Sequence, residues 1–360
     1  MHKIDFATGS LGKVPLIENF LKDIISRTDI NNLLNYSHPQ GFFKLRRQIA
    51  NLYGDNFTEE NVLITSSAQQ ALRVVFRNFE NKGMSKILLQ EPAFFGVVRI
   101  LKDIKNLSIE SFENEKTLRL RADNKKPDVV YLTSNFQNPT GESISDVAKD
   151  YLGKVANERN LIIVEDNPYN FLYYDDEFPN NILDRAPANT IHIGSFSKIL
   201  APGLRIGYMI AKKEFINDIL PLKYTDDIST SSLSQQICQS ALDNMIIFKE
   251  LRDHFKKKRD LALSTLQKFF HDNEDFEWSS PNGGVFIQCR FANEINVSDL
   301  VKIAYSKYNL RLQEDKQTYY DGNTRNTTRI NFVSNTDEDL IEGIRRLSMA
   351  SKEARHCLKN

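Results

Sequence analysis

The chain of 360 residues has three cysteines, one tryptophan, six histidines and no excess of charge of either sign. Cys238, Cys289 and Cys357 are too few to build a disulfide framework at this length, which suits a reducing compartment. Apart from the adjacent His356–Cys357 no histidine lies close to a cysteine, and that single pair does not make the spacing of a zinc site. Lys plus Arg and Asp plus Glu each number 47, a formal net charge of zero. That balance removes the electrostatic argument for a dedicated nucleic-acid or anionic-membrane binder. No uninterrupted apolar run is long enough to cross a bilayer, and Met1 to Gly12 has no apolar signal core. Cys357 stands near the end, but the Lys359 and Asn360 that follow do not fit a prenylation signal. The expectation is a soluble, cytoplasmic protein. With 41% apolar and 26% charged residues and no low-complexity tract, the chain has a globular composition, long enough for two domains.

What is present is an alternation. Short apolar or β-branched runs occur at Asn61–Thr65, Lys86–Gln90, Asp128–Thr133, Leu161–Asp166, Thr190–Ser195 and Ile206–Ala211, each bounded by Gly, Pro, Asn or Ser. Their near-continuous hydrophobicity is that of parallel strands covered on both faces. Helical patterns fit between and after them, at Gln69–Asn78, at Ile144–Asn160 with a Ser143 start, and at Ser234–Asn244. This predicts an α/β fold with a large, doubly wound, mostly parallel sheet. Beyond about residue 240 the character changes to a long charged helix, Phe248 to Phe270, strand-like Val285–Cys289 and Thr328–Phe332, and a closing helix, Asp337–Ala350. The expected division is a large domain over 37–245 and a smaller α+β domain built from 1–36 with 246–360. The run Lys256–Arg259 lies beside Asp253 and Asp260 and reads as a solvated helix face.

Four constellations carry chemistry. Ser195 ends a strand, Lys198 follows in a polar turn, and Arg205 comes after Pro202–Gly203. Gathered at the C-terminal mouth of a parallel strand, these groups can bind a phosphate and present an amine for Schiff-base formation. A surface lysine and a domain-closing arginine would explain them equally well. In Leu161–Tyr169 four apolar residues end in Glu165 and Asp166, which a strand points to opposite faces. A buried acid there requires a cation, such as a protonated pyridine nitrogen, and Tyr169 could bring a phenol to the same ring; an Asp capping the next turn is the alternative. Asn138, in the string Ser134–Gly141, falls on the ligand side of the sheet, although a turn alone would account for the string. Thr65 to Leu72 leads from a strand through small residues into a helix whose first amides form an anion site, or is merely capped. His192, inside a strand run, reads as a satisfied core histidine, and Trp278 as core or interface.

In order along residues 36 to 332 stand Tyr36…Pro39–Gln40–Gly41…Leu45–Arg46…Ile49–Ala50, Ile64–Leu72, Glu91–Phe94, Gln137–Gly141, Asp166–Tyr169, Ser195–Lys198, Pro202–Tyr208, Pro281–Phe286 and Arg329–Phe332. With these strings the chain resembles the fold-type I pyridoxal-phosphate enzymes of the class I/II aminotransferases. The nearest pattern is the branch of aromatic and 2-aminoadipate aminotransferases and the aminotransferase-like half of the MocR regulators. The resemblance implies pyridoxal 5'-phosphate as cofactor. It implies that Lys198 holds it as the internal aldimine and shuttles a proton at the substrate, that Asp166 keeps the pyridine nitrogen protonated, and that Asn138 and Tyr169 bond its ring oxygen. Phe94 would stack on the ring, while Ser67, Ala68, Gln69, Ser195 and Arg205 cradle the phosphate. Arg329 would grip the substrate α-carboxylate near the Gly9 and Asn138 positions. Tyr36 would reach the phosphate of a neighbouring subunit, implying a homodimer with shared active sites.

The chain departs from the pattern in having Ser67–Ala68 where relatives usually carry Gly-Ser, in Phe94 for a common Tyr, and in a short arm before Gly9. The implied activity is ping-pong transfer of an amino group from an L-amino acid to a 2-oxo acid in amino-acid metabolism or biosynthesis, on small molecules rather than nucleic acid or membrane. A lyase, racemase or oxidase/cyclase on the same fold is the second reading. A MocR-like effector sensor is the third, disfavoured by the short stretch before Tyr36.

Overall fold

The computed structural model describes residues 2–28, 30–271, 276–292 and 295–357. A sheet of seven strands forms its centre. In chain order these are β2 (Val62–Thr65), β3 (Lys86–Gln90), β4 (Ser108–Phe112), β5 (Val129–Leu132), β6 (Ile162–Asp166), β7 (Thr190–Ser195) and β8 (Gly207–Ile210), preceded by the short β1 (Ile4–Asp5). The order across the sheet is β2-β8-β7-β6-β5-β3-β4. All neighbours are parallel except that β8 runs against both β7 and β2. Since β8 opposes both, β2 shares the sense of the other five, and the C-terminal ends of β2, β5, β6 and β7 open on one edge. That edge is where a parallel sheet binds ligands.

The helices are α1 (Pro15–Arg27), α2 (Phe43–Leu52), α3 (Ala68–Asn81), α4 (Phe95–Asp103), α5 (Glu115–Lys125), α6 (Asp146–Arg159), α7 (Lys213–Asp227), α8 (Ser232–Asp243), α9 (Ile246–Phe270), α10 (Val297–Tyr308) and α11 (Asp337–Cys357). They cover the sheet on both faces, so its central strands are buried throughout, as the apolar runs require. The remaining strands are β9 (Phe276–Trp278), β10 (Phe286–Phe291), β11 (Leu310–Arg311) and β12 (Thr327–Asn331). β12, β10 and β9 make an antiparallel sheet, and β11 pairs in parallel with β1. The chain start is thus stitched to the C-terminal third through Ile4–Leu310 and Asp5–Arg311.

Several elements differ from the sequence reading, each for a physical reason. β4 was not expected: as an edge strand it is only partly covered, so Ser108–Phe112 lacks the apolar run that marks central strands. Helix α6 starts two residues later than Ser143 suggests, because Ser145 is the cap, its Oγ accepting from the Ala148 amide at 3.1 Å. Ser143 instead accepts from the Phe136 amide at 3.0 Å. The Lys256–Arg259 run is not a wholly solvated face. Lys258 is buried and braces Asn335 O (2.6 Å) and Asp337 (2.9 Å), and Arg259 Nη1 donates to Pro281 O at 2.8 Å.

Glu165 and Asp166 leave β6 on opposite faces. Glu165 enters a buried polar cluster in which Oε1 accepts from Ser134 Oγ (2.5 Å) and the Ile182 amide (2.8 Å). Its Oε2 accepts from the Leu183 amide at 3.2 Å and lies 3.0 Å from His192 Nδ1. Burial alone would raise this carboxyl, but the hydrogen bond and charge of His192 hold it below the usual range. His192 Nε2 lies 3.0 Å from Tyr53 Oη, so this histidine is a satisfied core residue.

At Gly207 a Cβ would lie 2.6 Å from the Ala68 amide nitrogen, so β8 can approach the start of α3 only without a side chain. Gly207→Ala is therefore expected to lower unfolding free energy by about 1–3 kcal/mol, read by thermal or urea denaturation; an unchanged midpoint contradicts the packing argument.

Candidate active site

The strand ends and the C-terminal sheet enclose a cavity of about 800 Å³. It is lined by Gly9, Ser67, Ala68, Gln69, Phe94, Asn138, Asp166, Tyr169, Ser195, Lys198, Arg205 and Arg329, every residue expected at the site except Tyr36. Tyr36 is 80% exposed and does not line this cavity.

Asp166, the last residue of β6, is buried. Its Oδ2 accepts from Tyr131 Oη at 2.7 Å, whereas Oδ1 has no hydrogen-bond partner among the described residues. Burial pushes its carboxyl up to about 6, with the Tyr131 hydroxyl and the charge of His192 opposing the shift. Such an atom is costly unless a cationic donor meets it.

Lys198 follows β7. Its Nζ donates to Gly9 O at 2.8 Å. Removal from water lowers the amine to about 8, and the positive charges of Arg329 and Arg205 add to the effect. A substantial neutral fraction near pH 8 makes it a usable nucleophile and base.

Arg329 projects from β12 across the cavity. One guanidinium nitrogen, Nη1, donates to Asn138 Oδ1, and Nη2 donates to Ala7 O at 3.0 Å. The guanidinium lies 4.0 Å from the centre of the Phe286 ring, and buried Nε has no partner among the described residues. Burial lowers this group to about 10. Because Asn138 accepts from Arg329 through its oxygen, its amide nitrogen remains available as a donor. Tyr169 stands edge-on to Phe286 with ring centres 5.9 Å apart, and burial raises its phenol.

At the other end of the cavity, Ser67, Ala68 and Gln69 form the start of α3, whose first amides have no acceptor within the helix. Arg205 and Ser195 complete a cradle for an anion. Ser67 has φ +96° and ψ 162°, a region natural to glycine and strained for serine.

The residues present fit pyridoxal phosphate: an unpartnered buried carboxylate oxygen for a ring cation, an amine of lowered basicity, an anion cradle at a helix start, and Phe94 for stacking. Sequence reasoning passed over Tyr131, Phe286 and the mouth residues Leu312, Gln313 and Gln317. Tyr131 had one legible signal, a phenol in a fully buried strand that had to find a partner. The mouth residues follow the short β11 and carry no motif.

A model of the family described as aminotransferase class I and II matches residues 2–347. Aromatic-amino-acid aminotransferase 1 of Thermococcus litoralis is 29% identical, over 94% of this chain and 85% of its own. The HTH-type transcriptional regulator NorG of Staphylococcus aureus is 27% identical, over 96% of this chain and 79% of its own. The crystal structure of Pyrococcus horikoshii kynurenine aminotransferase, in complex with PMP, superposes with a TM-score of 0.86 at 26% identity. That match covers 98% of this chain and 91% of the other.

Two outcomes follow from the geometry. An unfolded aspartate loses its proton near 3.8 and Asp166 near 6, so between these values the fold holds more protons and stability falls as pH rises. Cofactor-free Asp166→Asn is therefore expected to melt above the wild type at pH 8, by on the order of 1–3 kcal/mol, with the gain gone near pH 4. A lower melting point at pH 8 contradicts this account of the carboxylate. Ser67→Gly, which relieves the backbone strain, is expected to gain about 1 kcal/mol in denaturant unfolding; a loss of stability would show that the serine side chain outweighs the strain.

Proposed function

From a chain that belongs to the aminotransferase class I and II family and is a pyridoxal-phosphate-dependent aminotransferase, we propose a reaction assignment residue by residue. The substrates are an L-amino acid and a 2-oxo acid, exchanged in turn at one cavity. The observation that carries the assignment is the unpartnered oxygen of buried Asp166 in the same cavity as the lowered amine of Lys198. The cofactor, when bound, supplies a carbonyl carbon for amines and an electron-withdrawing ring.

Lys198 Nζ, which donates to Gly9 O here, would hold the cofactor covalently and, once displaced by the substrate amine, would as a free amine take and return the proton at the substrate Cα. Asp166 Oδ1 would keep a proton on the ring nitrogen of the bound cofactor, and that cation would stabilise the carboxylate in turn. Asn138, through its amide nitrogen, and Tyr169, through its hydroxyl, orient the ring oxygen. Phe94, which lines the cavity, would stack on the ring. Ser195, Arg205 and the first amides of α3 bind the phosphate. Arg329 binds the α-carboxylate with its planar fork, and the Phe286 ring beneath it excludes water.

The division into a domain over 37–245 and one over 1–36 with 246–360 belongs to the same proposal, as does a homodimer. Exposed Ile30, Leu34, Tyr36, Phe43 and Ile246 support a second copy as partner, with Tyr36 reaching the other subunit's phosphate. Among the described residues no helix is long and apolar enough to cross a membrane. The named aminotransferase relatives favour transamination over elimination, racemisation, oxidation or effector sensing.

The test is spectroscopic. A panel of L-amino acids is added singly to the holoenzyme, then a 2-oxo acid; the visible band is expected to move to that of the amine form of the cofactor and return. Lys198→Ala should retain cofactor by its phosphate but lose this response, and borohydride should fix the cofactor on the peptide containing Lys198. Ammonia release without an acceptor, or a label on another lysine, overturns the assignment.

A further inference from the structure

Residues Ala7 to Ser10 form a strap without regular secondary structure along the cavity, which Ala7 and Gly9 line. Its four consecutive carbonyls each accept from a distant side chain. Ala7 O is held by Arg329 Nη2 at 3.0 Å and Gly9 O by Lys198 Nζ at 2.8 Å. Thr8 O and Ser10 O are both held by Asn331 Nδ2, at 2.8 and 2.9 Å. A strap outside any ladder has to be satisfied by side chains in this way.

The donors differ in what else they do. Arg329 and Lys198 are the groups assigned above to the substrate carboxylate and the cofactor; Lys198 must release Gly9 O to act, and Arg329 has to share its fork between Ala7 O and the carboxylate. Asn331 is fully buried and does not line the cavity. Its oxygen accepts from the amides of Val333 (3.0 Å) and Ser334 (3.2 Å), so donors and acceptor are both committed to backbone. Two residues after Arg329 on β12, it leaves the strand on the same face. The clearance it maintains is small: a Cβ on Gly9 would lie 3.3 Å from Lys198 Nζ.

We propose that Asn331 is a positioning residue: by clamping the backbone on both sides of Gly9, it keeps the strap over the site when ligands take Arg329 and Lys198. The strap then bounds the space in which the α-carboxylate lies against Arg329. This rests on the assignment of Arg329 to the carboxylate.

Asn331→Asp keeps an oxygen for Val333 and Ser334 but turns a second oxygen toward Thr8 O and Ser10 O. In the holoenzyme, hydrogen–deuterium exchange over residues 6–12 is expected to accelerate by about tenfold, the equivalent of two weak hydrogen bonds. KM for the best amino acid of the panel is expected to rise by about tenfold, with kcat and the bound-cofactor spectrum little changed. Unchanged exchange, or faster exchange with unchanged KM, overturns the proposal.

A second measurement uses the wild type alone. At 3-phenylpropionate concentrations that shift the cofactor absorbance, protection of residues 6–12 is expected to be kept or deepened; its loss overturns the proposal. Exchange needs no turnover, so a wild type inactive on the whole panel would refute the transaminase assignment while leaving the strap measurement to be judged separately.

Discussion

A carboxylate held at the dry end of a buried strand, with one oxygen satisfied and the other facing a cavity, sets the terms for the rest of the site. Asp166 is bonded by Tyr131 on one side only, and burial raises its carboxyl to about 6. The Tyr131 hydroxyl and the charge of His192 offset only part of that cost, and the free oxygen is left where a cation can be received. The neighbouring strands are arranged to the same end. β5, β6 and β7 run in parallel, and their C-terminal ends bring Asn138, Asp166 and Lys198 to one edge.

The electrostatics of the cavity follow from this arrangement more than from the composition. The whole chain is formally neutral, yet the cavity is lined by five cations, Lys198, Arg205, Arg311, Lys316 and Arg329, against two acids, Asp166 and Glu314. Burial together with repulsion from Arg329 and Arg205 lowers the lysine, while the Phe286 face partly compensates the arginine. The strap of Ala7–Ser10 lies between them and supplies carbonyl oxygens to both Lys198 and Arg329. Lys198 and two of the three Arg329 nitrogens are therefore partnered before any ligand arrives, while Arg329 Nε and Asp166 Oδ1 are left for a ligand to satisfy.

The adjacent acids of β6 show how far pattern reading reaches. Alternation along a strand required them to face opposite ways, and they do. It could not say which would meet the ligand. Glu165 faces a cluster of Ser134, His192 and two loop amides that satisfies both its oxygens, and Asp166 faces the cavity. Likewise Lys258 and Arg259 look like solvated charge in a helical string, and only the packing of α9 against the turns at Pro281 and Asn335 makes them braces.

The order of apolar runs and turn residues determined by itself the α/β class, the central strands and the candidate residues at their ends, because covered parallel strands and ligand-binding turns each leave a local signature, whereas Gly9, Phe94 and Arg329 entered only through the resemblance to a family. Tertiary structure alone decided the β4 edge, the Tyr131 support, the Phe286 face and the clamp of Asn331 on the strap. Those depend on residues far apart in the chain: Asn331 and Thr8 meet where the Asn331 backbone amide donates to Phe6 O, just beyond the strand β1 that pairs with β11. No local periodicity encodes a hydrogen bond between two such segments, so the chemistry was legible in the chain while the support that aims it was not.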